Sequence, residues 1–586
     1  MKKRYALLLK NEFFIIFSLT IITIILGYFS YRYENQPVLE SLYKTLQFFK
    51  LKADELNHLN IGFEIARWSS AIILVYATFK FVLLIVKDKI DEVIIRLNDD
   101  HIVICGLSSK AKDLIEEIRQ AEKKIVIIEK NKNHEALSAY KYNKNVKILI
   151  GDAEDEQVLK RANIVDASYI FSFTENDQTN LRITESIEKI FTNPVARKTL
   201  QNRTEPLRIR IHLKDYDNLM VFKEFHHVAN GKIDYHAFNL FQQAAEKVID
   251  EFSPDKFLSI KSEKDDQVHI LVSGLTLQGE YLIIEAAQMY HFANLKPLKI
   301  TIVDHDVKNK LKLFLNRFPN LEDVLDIHSV ETYDFVKMKN MGAKIGDVSV
   351  CFICHKDDAE SVNKYRLYRQ LFYKINKTLD HPRIIAIMPQ NNSLKTLFPG
   401  IESNAKDLNV TIKELYADFC KKSIIVDNKE EYDKVAVCVD YVFIREQKKI
   451  KKYLEEYNQA DWDKKTDFEK DWNRYPARHL EIKLRAAGIN LSDHPVDNQK
   501  NIELNEVNRN LLNRMEHNRW CAEKLLTGFI SGEEPGNKEV AMMLKRKLKY
   551  HSELVEWKNL SIENQVKDAY TIDNLIYAAR CQLNIK

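Results

Sequence analysis

The chain has no excess of charge of one sign. Its 88 Lys and Arg residues are nearly balanced by 84 Asp and Glu residues, which gives a formal net charge of +4. Proteins that bind nucleic acid usually carry a basic surplus, because phosphate contacts dominate that binding. The composition therefore gives no support for a nucleic-acid partner.

Cysteine is sparse and forms no disulfide pattern. The seven cysteines are odd in number and scattered over 586 residues, as is typical of a protein in a reducing cytosol. Cys351, Cys354 and His355 match the C-x-x-C-H spacing of covalent haem attachment. The two cysteines also lie within the apolar run 348–354, which predicts a buried strand. In such a strand, cysteine acts as a small hydrophobic residue. We therefore interpret the two cysteines as core residues.

Motifs that carry catalysis are missing as well. The sequence contains no G-x-S-x-G, no H-E-x-x-H and no intact Walker A motif. We also find no nucleophile and no pair of carboxylates that the pattern singles out as acid and base. The sequence therefore predicts a binding protein rather than an enzyme, without a metal site.

Two long apolar segments stand near the start of the chain. The segment 13–31 contains no charge, and the segment 68–86 contains only Lys80. About 20 apolar residues cross the hydrocarbon core as a helix. A signal peptide is the alternative for the first segment, but no small-residue cleavage site follows it. Basic residues crowd positions 2–10 and 87–96, so we expect a multi-pass protein of the inner membrane with both termini in the cytoplasm.

A short amphipathic helix is predicted between the two apolar segments. Its apolar residues recur at positions 39, 42, 46 and 49. Two spans with such a helix between them resemble the pore module of a potassium channel. No TVGYG-like filter follows, since 50–55 reads KLKADE, so a helix on the outer membrane interface is an equal alternative. Two spans cannot enclose a pore, so conduction would require a homo-oligomer, a dimer or a tetramer.

The first soluble segment has the βαβ order of a dinucleotide-binding unit. An apolar run at 102–105 ends in Gly106, a helical pattern covers 111–121, and a second apolar run at 125–128 ends in Glu129. The glycine-rich turn is degraded, because Ser108 and Ala111 replace the second and third glycines. Glu129 stands 23 residues after Gly106, where an acid would meet a ribose hydroxyl.

The residues that follow carry a family resemblance. Gly151-Asp152-Ala153, Thr174-Glu175-Asn176-Asp177 and Asn180 resemble the TrkA-N (RCK) family over about 101–250. The resemblance implies a cytosolic domain that regulates potassium channels or transporters by binding nucleotides or ions. It implies NAD or another adenine nucleotide as the ligand, held in a cleft lined by Gly106, Ser108, Glu129, Asp152 and Thr174. The alternative is a Rossmann-like scaffold that binds no nucleotide and is kept for assembly of the protein.

A second copy of the pattern begins at His269. Its turn is Gly274-x-Thr276-x-x-Gly279, a helix is predicted over 280–293, and the run 300–303 ends in Asp304. We therefore expect a second nucleotide cleft lined by Gly274, Thr276, Gly279 and Asp304. The alternative is a degenerate partner that buries the open face of the first copy.

The C-terminal part is predicted to be helical from about 446. Glu516-His517-Asn518-Arg519-Trp520, with the later segment His551-x-x-Leu554-Val555-x-Trp557-x-x-Leu560, resembles the Ry domain of ryanodine receptors and bacterial relatives over about 505–580. An acid, an imidazole, a guanidinium and a stacking ring suit a nucleotide-type ligand, so Glu516, His517, Arg519 and Trp520 are the candidates. Helical spacing puts Glu516 and Trp520 on one face. The alternative is a structural network in which Arg519 pairs with an acid.

The predicted fold class is a membrane α-hairpin, two tandem Rossmann-like parallel-sheet α/β domains and an α-helical Ry-like domain. The expected boundaries are 1–90, 91–255, 256–445 and 446–586. The predicted function is a membrane-anchored nucleotide sensor that gates or regulates ion transport, with potassium as the candidate ion. A membrane-tethered enzyme that uses nucleotides and a non-conducting scaffold for a separate transporter are the alternatives.

Overall fold

The computed structural model describes most of the chain. The described residues are 2–52, 61–108, 111–120, 123–141, 143–225, 232–331, 345–378, 382–388, 410–414, 433–448, 462, 465–489, 504–532, 537, 540 and 548–565. They form two compact units, Met1–Leu97 and Asn98–Lys586.

The first unit is helical. It contains α1 (Lys2–Tyr33), α2 (Val38–Gln47), a 3-10 turn (Phe48–Lys50) and α3 (Ile61–Arg96). Segments Phe14–Tyr33 and Ile61–Val82 are long and apolar enough to cross a membrane, with mean hydropathies of 2.1 and 1.3. The two predicted apolar helices are therefore confirmed, while their insertion into a membrane stays a prediction.

Helix α2 packs within this unit through small residues. Ser41 and Thr45 are fully buried, whereas the apolar stripe at Leu39, Leu42 and Leu46 is exposed. A Cβ on Gly27 would lie 2.7 Å from Thr45 Cγ2, so α1 and α2 approach closely where α1 has no side chain. The predicted helix is present, and its apolar face points away from α1.

The second unit begins with a six-stranded parallel sheet. Its order is β3-β2-β1-β4-β5-β6, built from β1 (Ile102–Cys105), β2 (Ile125–Glu129), β3 (Val146–Ile150), β4 (Tyr169–Ser172), β5 (Leu207–His212) and β6 (Ile233–Phe238). The connecting helices are α4 (Ala111–Gln120), α5 (Leu137–Tyr140), α6 (Glu156–Arg161), α7 (Asp177–Thr192), α8 (Pro194–Gln201), α9 (Tyr216–Phe225) and α10 (Leu240–Glu251). Helices on both faces explain why the central strands read as unbroken apolar runs.

A second six-stranded parallel sheet repeats this topology. Its order is β12-β11-β10-β7-β8-β9, built from β7 (His269–Ser273), β8 (Leu298–Val303), β9 (Leu325–Val330), β10 (Val350–Ile353), β11 (Arg383–Met388) and β12 (Val410–Glu414). Its described helices are α11 (Leu277–Met289), α12 (Val307–Arg317), α13 (Leu321–Val324) and α14 (Asp358–Asn376), and a 3-10 turn (Pro254–Lys256) precedes the sheet. Both predicted Rossmann-like units are confirmed. Cys351 and Cys354 are fully buried in and just after β10, and burial raises the pKa of both thiols.

The described C-terminal residues are mainly helical. They form α15 (Asp433–Lys448), α16 (Asp467–Ala486), α17 (Glu506–Leu526) and a 3-10 turn (Trp557–Asn559). A capping box of Thr466 and Glu469 starts α16. The structure adds a short parallel pair, β13 (Ile530–Ser531) with β14 (Tyr550–His551), which the sequence did not predict. Within the region predicted to be helical, the residues 449–461, 463–464, 490–503, 533–536, 538–539, 541–547 and 566–586 lie outside the described residues.

One hydrophobic core joins these parts of the second unit. Buried apolar residues of both sheets, of α10 and α11, and of α16 and α17 belong to a single cluster, which includes Ile104, Val248, Ile302, Leu480 and Met515. The C-terminal helices therefore pack on the α/β units and share their core.

Candidate functional site

The first crevice lies between β1 and β4, where the strand order reverses. In parallel α/β sheets, ligands bind outside the carboxyl ends of the strands at such a point. Gly106 ends β1 with φ at +90°, a region that favours glycine. A Cβ at this position would lie 2.7 Å from Thr174 Cγ2 and 3.0 Å from Thr174 Cα. The two turns therefore approach so closely that only glycine fits.

Glu129 ties the end of β2 to the turn after β1. One carboxylate oxygen accepts from the backbone N–H of Leu107 at 2.9 Å, and the other accepts from that of Asn131 at 2.9 Å. The side chain of Ser108 accepts from the N–H of Ala111 at 3.1 Å, which suits a residue that caps the start of α4. The structure thus brings Gly106, Ser108 and Glu129 together, as the motif predicts.

Asp152 forms an ion pair at the rim of this edge of the sheet. It lies 2.6 Å from Lys130 Nζ, and the two side chains are 37% and 77% exposed. Its other oxygen accepts from the N–H of Glu154 at 3.0 Å. The hydrogen bond from Lys130 holds the pKa of Asp152 below its ordinary value. Lys130 was not predicted, although it directly follows Glu129 in the sequence.

Thr174 is held by the buried side chain of Asn180. The Asn180 oxygen accepts from the Thr174 N–H at 2.9 Å and from its hydroxyl at 2.7 Å. The Asn180 amide nitrogen donates to the His212 carbonyl at 2.8 Å. Asn180 therefore fixes the end of β4 against the end of β5, which gives the Thr174–Asn180 spacing a structural reason.

The second crevice lies at the matching point, between β7 and β10. Gly274 has φ at +98°, and a Cβ there would lie 2.6 Å from the Cys354 carbonyl oxygen. Thr276 caps α11 and donates its hydroxyl to that carbonyl at 2.7 Å. A Cβ on Gly279 would lie 2.2 Å from the Gly274 carbonyl oxygen, so this glycine permits close packing of helix on turn.

Asp304 occupies the place that Glu129 has in the first crevice. It accepts from the backbone N–H of Leu275 at 2.5 Å and from Lys310 Nζ at 2.6 Å. His355 also lies here, with Nε2 3.1 Å from the Ser273 hydroxyl, and burial lowers the pKa of its imidazole. Lys310 and His355 were not predicted as site residues, because both reach the crevice from later elements.

The four C-terminal candidates divide into two pairs. Arg519 donates to Glu516 at 2.8 Å and to Glu523 at 2.8 Å, and Lys483 also binds Glu516. Burial alone would raise the pKa of Glu516, but Arg519 and Lys483 outweigh it and lower the pKa to about 2. Glu516 therefore pairs with the residue three positions on, whereas the helical spacing had grouped it with Trp520.

His517 and Trp520 form the other pair. Their rings stack with centroids 6.0 Å apart, and Trp520 also meets His551 edge to face at 4.8 Å. His517 Nε2 lies 2.8 Å from the Val555 carbonyl oxygen. Trp520 is half-buried, whereas Glu516 and Arg519 are almost fully enclosed.

Metal ligands do not cluster in the part of the chain that the structure describes. There, no group of three or more His, Cys, Asp or Glu side chains could hold a metal ion. The site residues lie at the switch points of the two sheets, in one buried charge network and in one aromatic cluster.

The fold and these sites define a chain with two Rossmann-like units in tandem, each with a crevice at its switch point. Residues 102–210 match the family model described as the TrkA-N domain. An uncharacterized protein of Methanothermus fervidus is 34% identical over 85 residues, which cover 14% of this chain and 13% of that protein. Potassium channel protein 1 of Methanocaldococcus jannaschii is 32% identical over 97 residues, which cover 16% of this chain and 28% of that protein. The matches thus span well under two thirds of either relative.

Solved structures to which this chain is similar include two of the GsuK channel. The structure described as GsuK bound to ADP has a TM-score of 0.39 and 15% identity, covering 72% of this chain and 99% of that chain. The GsuK channel bound to NAD has a TM-score of 0.38 and 13% identity, covering 72% and 83%.

Proposed function

We propose that this chain is a membrane-anchored sensor that binds an adenine nucleotide in its first crevice and regulates ion transport, with potassium as the candidate ion. The TrkA-N match over residues 102–210 carries the proposal, because it covers the strands and turns that build this crevice. The name of the Methanocaldococcus relative, a potassium channel protein, supports the choice of ion.

The residues of the first crevice fit NAD or another adenine nucleotide. Glu129 supplies a partly exposed carboxylate where a ribose hydroxyl would be accepted. The turn after Gly106 leads into the start of α4, where a helix N-terminus would face a diphosphate, and the N–H groups of Leu107 and Ala111 there are already bonded to Glu129 and Ser108. Lys130 and Asp152 place one charge of each sign at the rim.

The membrane part of the proposal concerns the two apolar helices. Each is long enough to cross the bilayer, and the basic residues before the first and after the second would place both termini in the cytoplasm of an inner-membrane protein. A conducting form would be a homo-oligomer, a dimer or a tetramer. We retain 1–90, 91–255, 256–445 and 446–586 as the proposed regions.

The C-terminal region, proposed to be Ry-like, is a second candidate for ligand recognition. His517 and Trp520 are its candidate contacts, because Trp520 is half-buried and both rings belong to one aromatic cluster. Glu516 and Arg519 would not contact the ligand but would hold α17 in place, since both are buried in ion pairs.

Reconstitution of the purified full chain into liposomes tests the function. We expect potassium flux that changes when NAD or ADP is added on the cytoplasmic side. Nucleotide binding without flux would favour the scaffold for a separate transporter, and nucleotide turnover would favour the enzyme. Potassium flux that does not change with any adenine nucleotide would contradict the proposed sensor function.

A further inference from the structure

The two crevices differ in how their polar groups are used. We propose that the second crevice is closed to nucleotides by the chain's own Lys310 and Thr276, so that binding is confined to the first crevice. This inference rests on the proposed function for its nucleotide, but the closure itself rests on contacts within the second sheet.

The carboxylate of Asp304 is buried and forms an ion pair. One oxygen accepts from the Leu275 N–H, and the other from Lys310 Nζ at 2.6 Å. The Asp304 side chain is 3% exposed and that of Lys310 is 42% exposed, so the ammonium lies between the carboxylate and solvent. A ribose hydroxyl would need this same carboxylate, and moving Lys310 away would leave a buried charge without its partner.

Thr276 joins the two sides of the second crevice. Its hydroxyl donates to the Cys354 carbonyl at 2.7 Å and so links the turn after β7 to the end of β10. Ser108 of the first crevice and Thr276 both cap their own helices, by accepting from Ala111 and Gly279, but among the described residues Ser108 has no bond across its crevice that matches the one from Thr276 to Cys354. A diphosphate that approached the second glycine turn would have to break the Thr276 link.

His355 takes up the space beside that turn. It is 6% exposed, its Nε2 lies 3.1 Å from the Ser273 hydroxyl, and its Nδ1 lies 3.3 Å from Glu360. Its Cε1 would be 3.3 Å from a Cβ on Gly274. An imidazole thus packs against the tight glycine turn that follows β7.

The first crevice keeps its charged groups accessible. Glu129 is partly exposed, and both its oxygens accept only from backbone N–H groups in the bonds described above. Lys130, its neighbour, is 77% exposed and pairs with Asp152 at the rim. A nucleotide would therefore meet a partly exposed carboxylate here and a buried, ion-paired carboxylate in the second crevice.

Hydrogen exchange of the full chain in detergent tests the closure without any nucleotide. We expect the Leu275 amide to exchange about ten-fold or more slowly than the Leu107 amide, because its acceptor is buried. Lys310→Ala should speed exchange at Leu275. Lys308→Ala, on the same helix with an 80% exposed side chain, should not. Equal exchange at Leu275 and Leu107, or no effect of Lys310→Ala, would overturn the closure.

Titration of the same proteins with ADP tests the confinement. We expect one ADP per wild-type chain and a second, weaker ADP in Lys310→Ala. Two ADP per wild-type chain, with one lost in a folded Asp304→Asn variant, would overturn the inference. If the Leu275 amide is protected but the wild-type chain binds no ADP, the closure of the second crevice stands. The nucleotide role of the first crevice is then refuted.

Discussion

At the scale of single residues, the described buried charges mainly form ion pairs that stabilise the fold. Glu516 has two cationic partners, and Arg519 binds Glu523 as well as Glu516. Breaking such a buried pair costs more than the pair contributes when intact, because one charge remains without compensation. Sequence spacing alone could not separate this arrangement from a ligand site, since the same residue types suit both.

The Glu516→Gln variant should be less stable than the wild type by about 3–5 kcal/mol, because Lys483 and Arg519 would lose their shared carboxylate. Urea unfolding of the full chain in mild detergent, followed by tryptophan fluorescence, measures this cost. The pKa of Glu516 falls from 4.5 to about 2 on folding, so its stabilisation is present above pH 4.5 and lost as the pH falls towards 2. Glu506→Gln, an exposed change on the same helix, is the control. Equal effects of the two changes would argue against the network.

His291 should make folding sensitive to mild acid. Burial lowers the pKa of its imidazole from 6.5 to about 4, so the neutral ring is favoured in the folded chain. Its contribution is full above pH 6.5 and is lost as the pH falls from 6.5 to 4. His291→Gln should therefore flatten the decline in the free energy of unfolding over this range, whereas exposed His305→Gln should leave the decline unchanged. An unchanged slope in His291→Gln would contradict this assignment.

At the scale of elements, α16 joins several parts of the second unit. Arg478 donates to Asp250 of α10 at 3.1 Å and to Glu285 of α11 at 3.0 Å. Lys483 reaches Glu516 of α17, and Asp471 binds Lys223 of α9 at 2.9 Å. The helix therefore links the two Rossmann-like units to the C-terminal helices.

Arg478→Met should destabilise the full chain by about 3–5 kcal/mol, because Glu285 would stay buried without its cation. The same urea titration measures the change, and limited proteolysis should show earlier cleavage around α16. Glu481→Gln, which alters an exposed residue of the same helix, should change neither readout. A variant as stable as the wild type would show that Arg478 does not hold these elements together.

Much of the fold could be predicted because buried parallel strands read as short apolar runs. The runs at 102–105, 125–128 and 300–303 all became strands. The helix predicted over 280–293 begins earlier, at Leu277, because Thr276 caps it. The pairs Lys310–Asp304 and Arg478–Glu285 could not be predicted, since tertiary packing selects each partner. The β13–β14 pair has two residues per strand, too few for a periodic pattern.

At the scale of the whole molecule, the chain combines an apolar helical unit with a large α/β unit. The apolar helices expose Phe14, Phe29, Trp68 and Phe79. Such a surface is expected where lipid, not water, surrounds a helix. The second unit, Asn98–Lys586, carries both crevices.

Membrane attachment should therefore depend on residues 1–97. The full chain should remain with the membrane fraction after an alkaline carbonate wash, because two apolar helices resist extraction. A chain that lacks residues 1–97 should appear in the supernatant. Membrane retention of the shortened chain would show a second anchor, and release of the intact chain would contradict insertion.

The central claim is that the first crevice binds an adenine nucleotide through Glu129. Calorimetric titration of the full chain with NAD and ADP tests it most directly, with Glu129→Gln beside Glu135→Gln, an exposed acid on the loop that follows β2. We expect the wild type and Glu135→Gln to bind alike, and Glu129→Gln to bind about ten-fold more weakly or worse, since a charged acceptor is lost. Equal affinity in all three proteins, or no binding of either nucleotide to the wild type, would contradict the account.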